Sequence, residues 1–323
     1  MGIDESTSMR FVTYNLRYDS RPDNLTVQQS LDALPDPLAP PPYLRLAREQ
    51  PWSLRRLRVA EHLIGEGIVL AGFQEALARQ VHDLAELLGS DWAWVGVGRD
   101  DGVAAGEFSP VFYKKTDLTL LSYDSFWTSN TPFQPSKFPG AGSFRVCTVT
   151  HMQRNDGGKR FTVLNTHMDD QSDAQRRLAA SLILTRARYE AVTTGAPVFI
   201  LGDFNSPTTG RDSGAYEITT GTRPPVAIPA DFAEKYAAPG DEQPGFTLLD
   251  LRAHTPRRAV SNNYATFTGF TAPNDTHSWS RIDFIFGGSN MGWKAVAYKV
   301  GSARTDDGVL ASDHRPVFTD INI

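Results

Sequence analysis

The sequence holds one cysteine, Cys147, in 323 residues. A single thiol excludes an intrachain disulfide framework and any zinc site built from several thiolates. No run of about 18 apolar residues occurs, so no segment reads as a membrane-spanning helix. There is no excess of basic charge either: Asp plus Glu number 37 against 32 Lys plus Arg, a net charge of -5. Phosphate backbones reward a basic surface, so this balance weighs against long nucleic acid as the main ligand, although a local basic groove stays open. Nucleotide-binding loops of the GxxxxGK(S/T) or GxGxxG kind are missing, and no GxSxG elbow follows a strand, which disfavours a Ser-His-Asp hydrolase. The N-terminus MGIDESTSMR carries acids and no apolar stretch. It does not read as a signal peptide, and the expected location is cytoplasmic.

What is present is a long series of strand-like segments. They fall at 10–15, 68–74, 92–98, 109–115, 118–127, 144–152, 160–168, 197–204, 281–286, 293–300 and 315–322, rich in Val, Phe, Ile, Tyr and Thr. Several are continuous apolar runs, as strands buried on both faces are. Helices are expected at 76–88, with Leu77, Val81, Leu84 and Leu88 on one face, and at 173–192, with Leu178, Leu182, Tyr189 and Val192 aligned and Ser172 as N-cap. A third helix reads from Ser53 to about Glu66, with Leu57, Ala60 and Ile64 inward and the trio Arg55, Arg56 and Arg58 on a solvated face. Five prolines between Pro35 and Pro42 exclude helix or central strand there, so 21–51 reads as a long surface loop inserted after the first strand. Residues 208–247 also read as loop. The expected architecture is α/β: two packed mixed sheets covered by helices, in one domain over 9–323.

Polar residues interrupt these apolar strands at particular places. Asn15 ends the first strand, Glu75 the second; His167 and Asp169 end RFTVLNT; Asp203 and Asn205 end PVFILG. Asp283 opens RIDFIF, and Asp313 and His314 directly precede RPVFTDI. If the last two strands run antiparallel to the others, all six sites share one rim. Each alone makes an ordinary turn or cap; together they make a cleft of carboxylates, asparagines and two histidines. Oxygen-rich ligation suits Mg²⁺ or Mn²⁺. Histidines stabilise charge on a phosphoryl oxygen, and a carboxylate can deprotonate an attacking water. That is chemistry for metal-assisted hydrolysis of a phosphate ester.

The ordered motifs TYN, QE, NTHMD, GDFN, RIDFIF and SDH resemble the endonuclease/exonuclease/phosphatase superfamily over about residues 9 to 323. The resemblance implies the deoxyribonuclease I-like fold, a four-layered sandwich of two mixed sheets between helices. It implies Glu75 as main metal ligand with Asn15 and Asp313 nearby, and Asp203 as activator of the attacking water with Asn205 as its partner. It further implies His167 and His314 as the phosphate-binding pair, and Asp283 as the carboxylate that orients His314. NLRYD, VGVGRDDG, GEFSPVFYK, SFWTS, FRVCT and TFTGF resemble a bacterial and fungal branch, distantly similar to deadenylase-like and sphingomyelinase-like members. Two features depart from that branch: the length of the 21–51 insertion, and Asp170 where a histidine often follows NTHxD.

Arg17, Arg99, Asp100, Glu107, Asp169 and Arg145 lie in motifs expected to form rim loops and contact substrate. Arg145 reads either as a phosphate clamp or as an ion-pair partner of Glu107. Trp127 and Phe270 read as core residues rather than stacking platforms. The expected activity is hydrolysis of a small or non-nucleic phosphodiester, such as a phosphosugar, inositol phosphate or lipid head group. A nuclease is the second reading, and a catalytically silent binding module the third. A membrane-active variant would need an exposed apolar hairpin, for which 130–140 is the candidate. Oligomeric state leaves no trace in the sequence.

Overall fold

The computed structural model describes residues 8–44, 48–272 and 274–323. The charged N-terminal stretch therefore lies, through residue 7, outside the described residues. Two six-stranded mixed sheets pack face to face. One sheet runs β11 (Lys294–Val300), β12 (Val317–Asn322), β1 (Met9–Asn15), β2 (Ile68–Gln74), β4 (Val111–Lys114) and β3 (Trp92–Val95). The other runs β5 (Leu118–Trp127), β6 (Val146–Arg154), β7 (Arg160–His167), β8 (Val198–Asp203), β10 (Asp283–Gly288) and β9 (Leu248–Asp250). Helices α2 (Trp52–Ile64) and α3 (Ala78–Leu88) pack on the first sheet, and α4 (Asp173–Thr194) on the second. This is the expected α/β sandwich. Every expected strand is present; only β9, three residues long and too short to show a period, was not anticipated.

The period-two geometry of a strand explains the layers. In β8, Val198 and Ile200 join the core under α4, while Phe199 and Leu201 join the core between the sheets. β1 does the same: Phe11 faces the other sheet and Val12 and Tyr14 face the α2–α3 layer. Phe11 meets Phe161 at 5.6 Å and Phe199 at 5.5 Å between ring centroids. Each such buried aromatic contributes about 1.5–3 kcal/mol. Both faces of these strands are apolar because both are covered.

The expected α4 is capped as the sequence implied: Ser172 Oγ accepts from Gln175 N at 3.2 Å. It ends at Gly195 in the left-handed conformation. In α3, Val81 and Leu84 are fully buried and Leu88 packs beside them.

The helix 53–66 is placed correctly and Ala60 faces inward as expected, but Ile64 and the arginines are not where the pattern put them. Arg55 and Arg56 are fully buried, whereas Ile64 is 68% exposed; Val59, Ala60 and Leu63 make the apolar face. Arg56 donates to Asp83 Oδ2 at 2.8 Å, to Leu25 O at 3.0 Å and to Ser30 Oγ at 2.6 Å. Buried acceptors replace water, so the charge is not forced outward. Arg58 pairs with Asp307 rather than standing free in solvent. The 21–51 segment is not all loop either: α1 (Val27–Asp32) lies within it, with Thr26 and Gln29 forming a capping box. Likewise 208–247 holds α5 (Gly214–Thr219) and α6 (Ala230–Lys235). In 130–140, Phe133 stacks on Phe232 of α6 at 5.8 Å, so this loop is tied to the body of the protein. No described helix is long and apolar enough to cross a membrane.

On the outer side of the second sheet, Glu190 of α4 is nearly fully buried. It accepts from Arg186 Nε at 2.7 Å and lies 2.8 Å from His151 Nε2. Burial alone would raise its pKa, but His151 and Arg186 outweigh burial and hold it below the ordinary 4.5. A depressed folded-state pKa contributes stability that is present above the unfolded value and lost as pH falls through the folded one. Glu190→Gln is therefore expected to cost stability at pH 6, with the deficit shrinking below pH ~4.5 as wild type protonates. Urea titrations between pH 6 and pH 3 measure it; a deficit constant with pH would contradict the assignment.

Candidate active site

The strand directions bring the interrupting polar residues together. β1 and β2 run parallel and end side by side at Asn15 and Gln74. β12 is antiparallel to β1, so the segment before it, with Asp313 and His314, returns to the same edge. In the second sheet β7 and β8 are parallel, with His167 opposite Asp203; β10 is antiparallel to β8, with Asp283 opposite Asp203. Beneath this edge a buried polar link joins the sheets. Asn165 of β7 donates to Phe73 O and Pro110 O, both at 2.9 Å, and accepts from Gln74 Nε2 at 2.7 Å. Gly72 leaves room for it: a Cβ there would lie 2.7 Å from Asn165 Oδ1.

The result is a cleft of about 390 Å³ lined by Glu75 and Asp313 from one sheet and His167, Asp203 and Asn205 from the other, with His314 between. Asp203 Oδ2 meets side chains from both sheets. It accepts from Asn15 Nδ2 at 2.9 Å and lies 3.6 Å from both His167 Nε2 and His314 Nε2. Asp203 Oδ1 accepts from Asn205 N at 2.8 Å. Burial raises the Asp203 pKa and the Asp283 charge raises it further, against the pull of the two histidines.

The two imidazoles differ in charge. Burial disfavours the His314 cation, but Asp283 and Asp203 overcome it and raise its pKa well above 6.5. Asp283 Oδ2 accepts from His314 Nδ1 at 2.9 Å, which points Nε2 at the cleft. His167 is pushed down to about 3 by burial and by Arg145. Arg145 Nη1 lies 3.0 Å from His167 Nδ1, and a guanidinium can only donate. His167 is therefore neutral. The Asn205 amide nitrogen lies 3.1 Å from His167 Nε2 and donates to Met168 O at 3.1 Å.

Backbone conformation marks the same rim. Six described non-glycine residues have positive φ, and three of them are Arg17, Glu75 and Asn205. Left-handed backbone costs a non-glycine residue about 1–2 kcal/mol, so it is held here by surrounding contacts. Glu75 is anchored by Asn15 Nδ2 at 3.0 Å and Tyr18 N at 3.0 Å. Asn15 Oδ1 accepts from Arg17 N at 2.9 Å, so its amide hydrogens bridge Glu75 and Asp203.

Two donor sets could hold a cation. Asp203, Asp283 and His314 each bring one ligand atom within 4.8 Å of the others. There, however, His314 Nδ1 is committed to Asp283 and the ring is drawn to its protonated form. Glu75 and Asp313 offer oxygen alone. Burial pushes the Asp313 carboxyl up, His314 pulls against that, and the Glu75 charge pushes it further. Adjacent carboxylates that repel each other in this way fit a hard divalent cation.

The rim residues divide. Arg17 lines the cleft, donates to Glu49 at 3.3 Å and lies 4.0 Å from Glu75. Arg99 pairs with Glu107 at 2.6 Å, and both line the cleft. Asp100 lies 3.8 Å from Arg99. Arg145 therefore does not pair with Glu107. Its Nε reaches Asp169 at 3.2 Å and its Nη2 reaches Asp170 at 2.7 Å, because the turn after β7 passes directly beneath it. Asp169 is fully buried and accepts from Gly142 N, Gln171 N and Ser172 N, so it braces the loop and does not line the cleft. Asp170 does line it. Trp127 is 6% exposed and donates to Arg99 O at 2.7 Å, a core role with a rim contact. Phe270 lies 5.8 Å from the Arg55 guanidinium.

Three contributors had escaped the sequence reading. Ser312, in the SDH motif but without a role, donates to Asn15 O at 2.7 Å and accepts from His314 N at 3.2 Å, tying β1 to the β12 approach. Phe267, in TFTGF, sets its ring 5.0 Å from His314. Arg55 binds five carbonyls around the rim, and nothing in its sequence neighbourhood signals that.

Comparison with known proteins agrees with this geometry. A model of the Endonuclease/Exonuclease/phosphatase family matches residues 12–314. An endonuclease/exonuclease/phosphatase from Bacteroides vulgatus is 27% identical over 98% of this chain and 99% of its own, with a TM-score of 0.73. A mannosyl-6-phosphatase from Bacteroides thetaiotaomicron is 25% identical over 97% and 99%, with a TM-score of 0.71. The human nocturnin catalytic domain, bound to sulfate, shares the fold at 12% identity over 97% and 94%, with a TM-score of 0.61. No curated protein matches the chain. A family match spanning nearly the whole chain and a sandwich of the same architecture place this protein in the endonuclease/exonuclease/phosphatase family.

Proposed function

We propose that residues 9–323 form one catalytic unit that hydrolyses a small phosphoester with the help of Mg²⁺ or Mn²⁺. The observation that carries this reading is Asp203 Oδ2, buried in the cleft lining and 3.6 Å from nitrogens of two imidazoles of unlike charge. In this scheme Asp203, its basicity raised by burial and Asp283, takes the proton of the attacking water. Asn205 holds that water or a phosphoryl oxygen. Neutral His167 hydrogen-bonds a phosphoryl oxygen without transferring a proton, and cationic His314 balances the charge that grows during in-line attack. Asp283 keeps His314 aimed and protonated. Glu75 and Asp313, with Asn15 beside them, would hold the metal, which supplies charge neutralisation at the phosphoryl group.

The rim supports a small substrate. Arg17, Arg99, Glu107, Arg145, Asp170 and Gln171 surround the cleft with hydrogen-bonding groups of both signs, suited to hydroxyls beside a phosphate rather than to a long polyanion. A relative that is a mannosyl-6-phosphatase supports a phosphosugar first, ahead of inositol phosphates and lipid head groups. A nuclease is the second reading, favoured by fold-level likeness to D. rerio TDP2 complexed with a single-strand DNA product.

Protein stripped with EDTA is expected to lose turnover and to regain it with Mg²⁺ or Mn²⁺. In the same assay matched sugar phosphomonoesters and phosphodiesters should turn over faster than RNA or DNA. Metal-independent turnover would defeat the mechanism, and faster cleavage of RNA or DNA would defeat the substrate class.

A further inference from the structure

Arg315 follows His314 directly, yet it lines a different cavity. That cavity, of about 190 Å³, shares no lining residue with the catalytic cleft. Thr268, Thr271, Trp279, Ser302, Arg304 and Arg315 line it, and no described carboxylate does. The Arg315 guanidinium stacks 4.6 Å from the Trp279 ring, and its one side-chain hydrogen bond is a long one, 3.4 Å to Ala265 O. Half-buried, it suffers desolvation with no acid to offset it. Arg304 also meets no carboxylate among the described residues, and its guanidinium donates to Tyr43 Oη at 3.2 Å. The buried Trp279 Nε1 has no acceptor. By contrast, Arg58, Arg99, Arg145, Arg186 and Arg281 each meet a carboxylate.

Desolvated cations and donors without acceptors are costly unless an anion answers them. Guanidinium groups favour tetrahedral oxyanions because their forked donors match two oxygens at once. We propose that this cavity is a second anion site, which takes a phosphate group between Arg304 and Arg315 with Trp279 Nε1 as a further donor. The site is independent of the catalytic reading. It is connected to the cleft through the main chain of Asp313 and Arg315: Thr268 N donates to Asp313 O at 2.8 Å, Thr268 Oγ1 to the same oxygen at 3.4 Å, and Arg315 N to Thr266 O at 2.6 Å.

The phosphate could be free or carried by an organic molecule. The test titrates metal-free full-length protein with inorganic phosphate while following tryptophan indole N–H resonances, that of Trp279 being identified by Trp279→Phe. Sodium chloride at matched ionic strength is the control, and phenyl phosphate is the second arm. A saturable shift of the Trp279 resonance is expected with phosphate and not with chloride. It should persist in folded His314→Ala and weaken about tenfold or more in Arg315→Met. Arg304→Met, at a less buried position, gives the same readout if Arg315→Met unfolds. Tighter binding of phenyl phosphate would assign the site to phosphate on an organic group; equal binding would assign it to free phosphate. Absence of a saturable shift, indifference to both arginine variants, or loss in folded His314→Ala would overturn the proposal.

Discussion

Asp203→Asn is expected to lower kcat/KM by about 10²–10⁴-fold, the usual contribution of a positioned general base. The substitution keeps the shape and the bond to Asn205 N but removes the proton acceptor facing Asn15 and both imidazoles. The loss should fall on kcat rather than KM, because Asp203 is assigned to the attacking water and not to substrate binding. Stability should hold or rise. Asp203 and Asp283 are buried opposite one another, and their mutual repulsion raises the Asp203 pKa. Steady-state kinetics on the best substrate, together with thermal unfolding, decide the matter. Retention of more than about a tenth of the activity would remove Asp203 from the base role.

Arg55→Met is expected to cost about 3–5 kcal/mol of stability, as removal of one side of a buried charged network does. Arg55 is fully buried in α2 and donates to Gln50 O at 2.9 Å, Leu16 O at 2.7 Å, Ala311 O at 2.9 Å, Arg17 O at 3.0 Å and Tyr18 O at 3.3 Å. Methionine fills much of the volume and leaves those carbonyls without a donor. One tethered segment, 16–18, directly follows Asn15 and another leads from Ala311 into Asp313, so the candidate metal ligands should loosen as well. Weaker Mn²⁺ binding in a variant that remains folded at low temperature is the second expected outcome. Lysine, with a point charge in place of a fork, should restore only part of either property. Urea denaturation measures the first effect and metal titration the second. A loss below about 1 kcal/mol would show that solvent takes over the five carbonyls.

These two residues show how differently the sequence exposes its contents. Asp203 is conspicuous because it follows VFILG at a strand end, where a charged side chain can only face a rim. Arg55 has only its local pattern, and that pattern misleads. Three arginines in one helix read as a solvated face, since the carbonyls that accept from Arg55 lie 5 to 256 residues away in the chain. The same blindness affected Arg145, read as open to Glu107 until β6 and the turn after β7 placed Asp169 and Asp170 against it. The short helices in 21–51 and 208–247 escaped because proline and glycine nearby dominate the composition, while six residues carry too little periodicity to register.

By itself the sequence determined the two-sheet architecture, because strand alternation and apolar runs are local properties of the chain. It also determined which polar residues the strands deliver to one edge, and excluded disulfide, thiolate-zinc and nucleotide-loop chemistry. Only the tertiary structure decided the charge states within that edge. His167 and His314 look equivalent in sequence, yet a guanidinium beside the first adds to burial and leaves it neutral, while a carboxylate beside the second overcomes burial and keeps it cationic. Protonation depends on neighbours within a few ångströms, and those neighbours come from strands far apart along the chain.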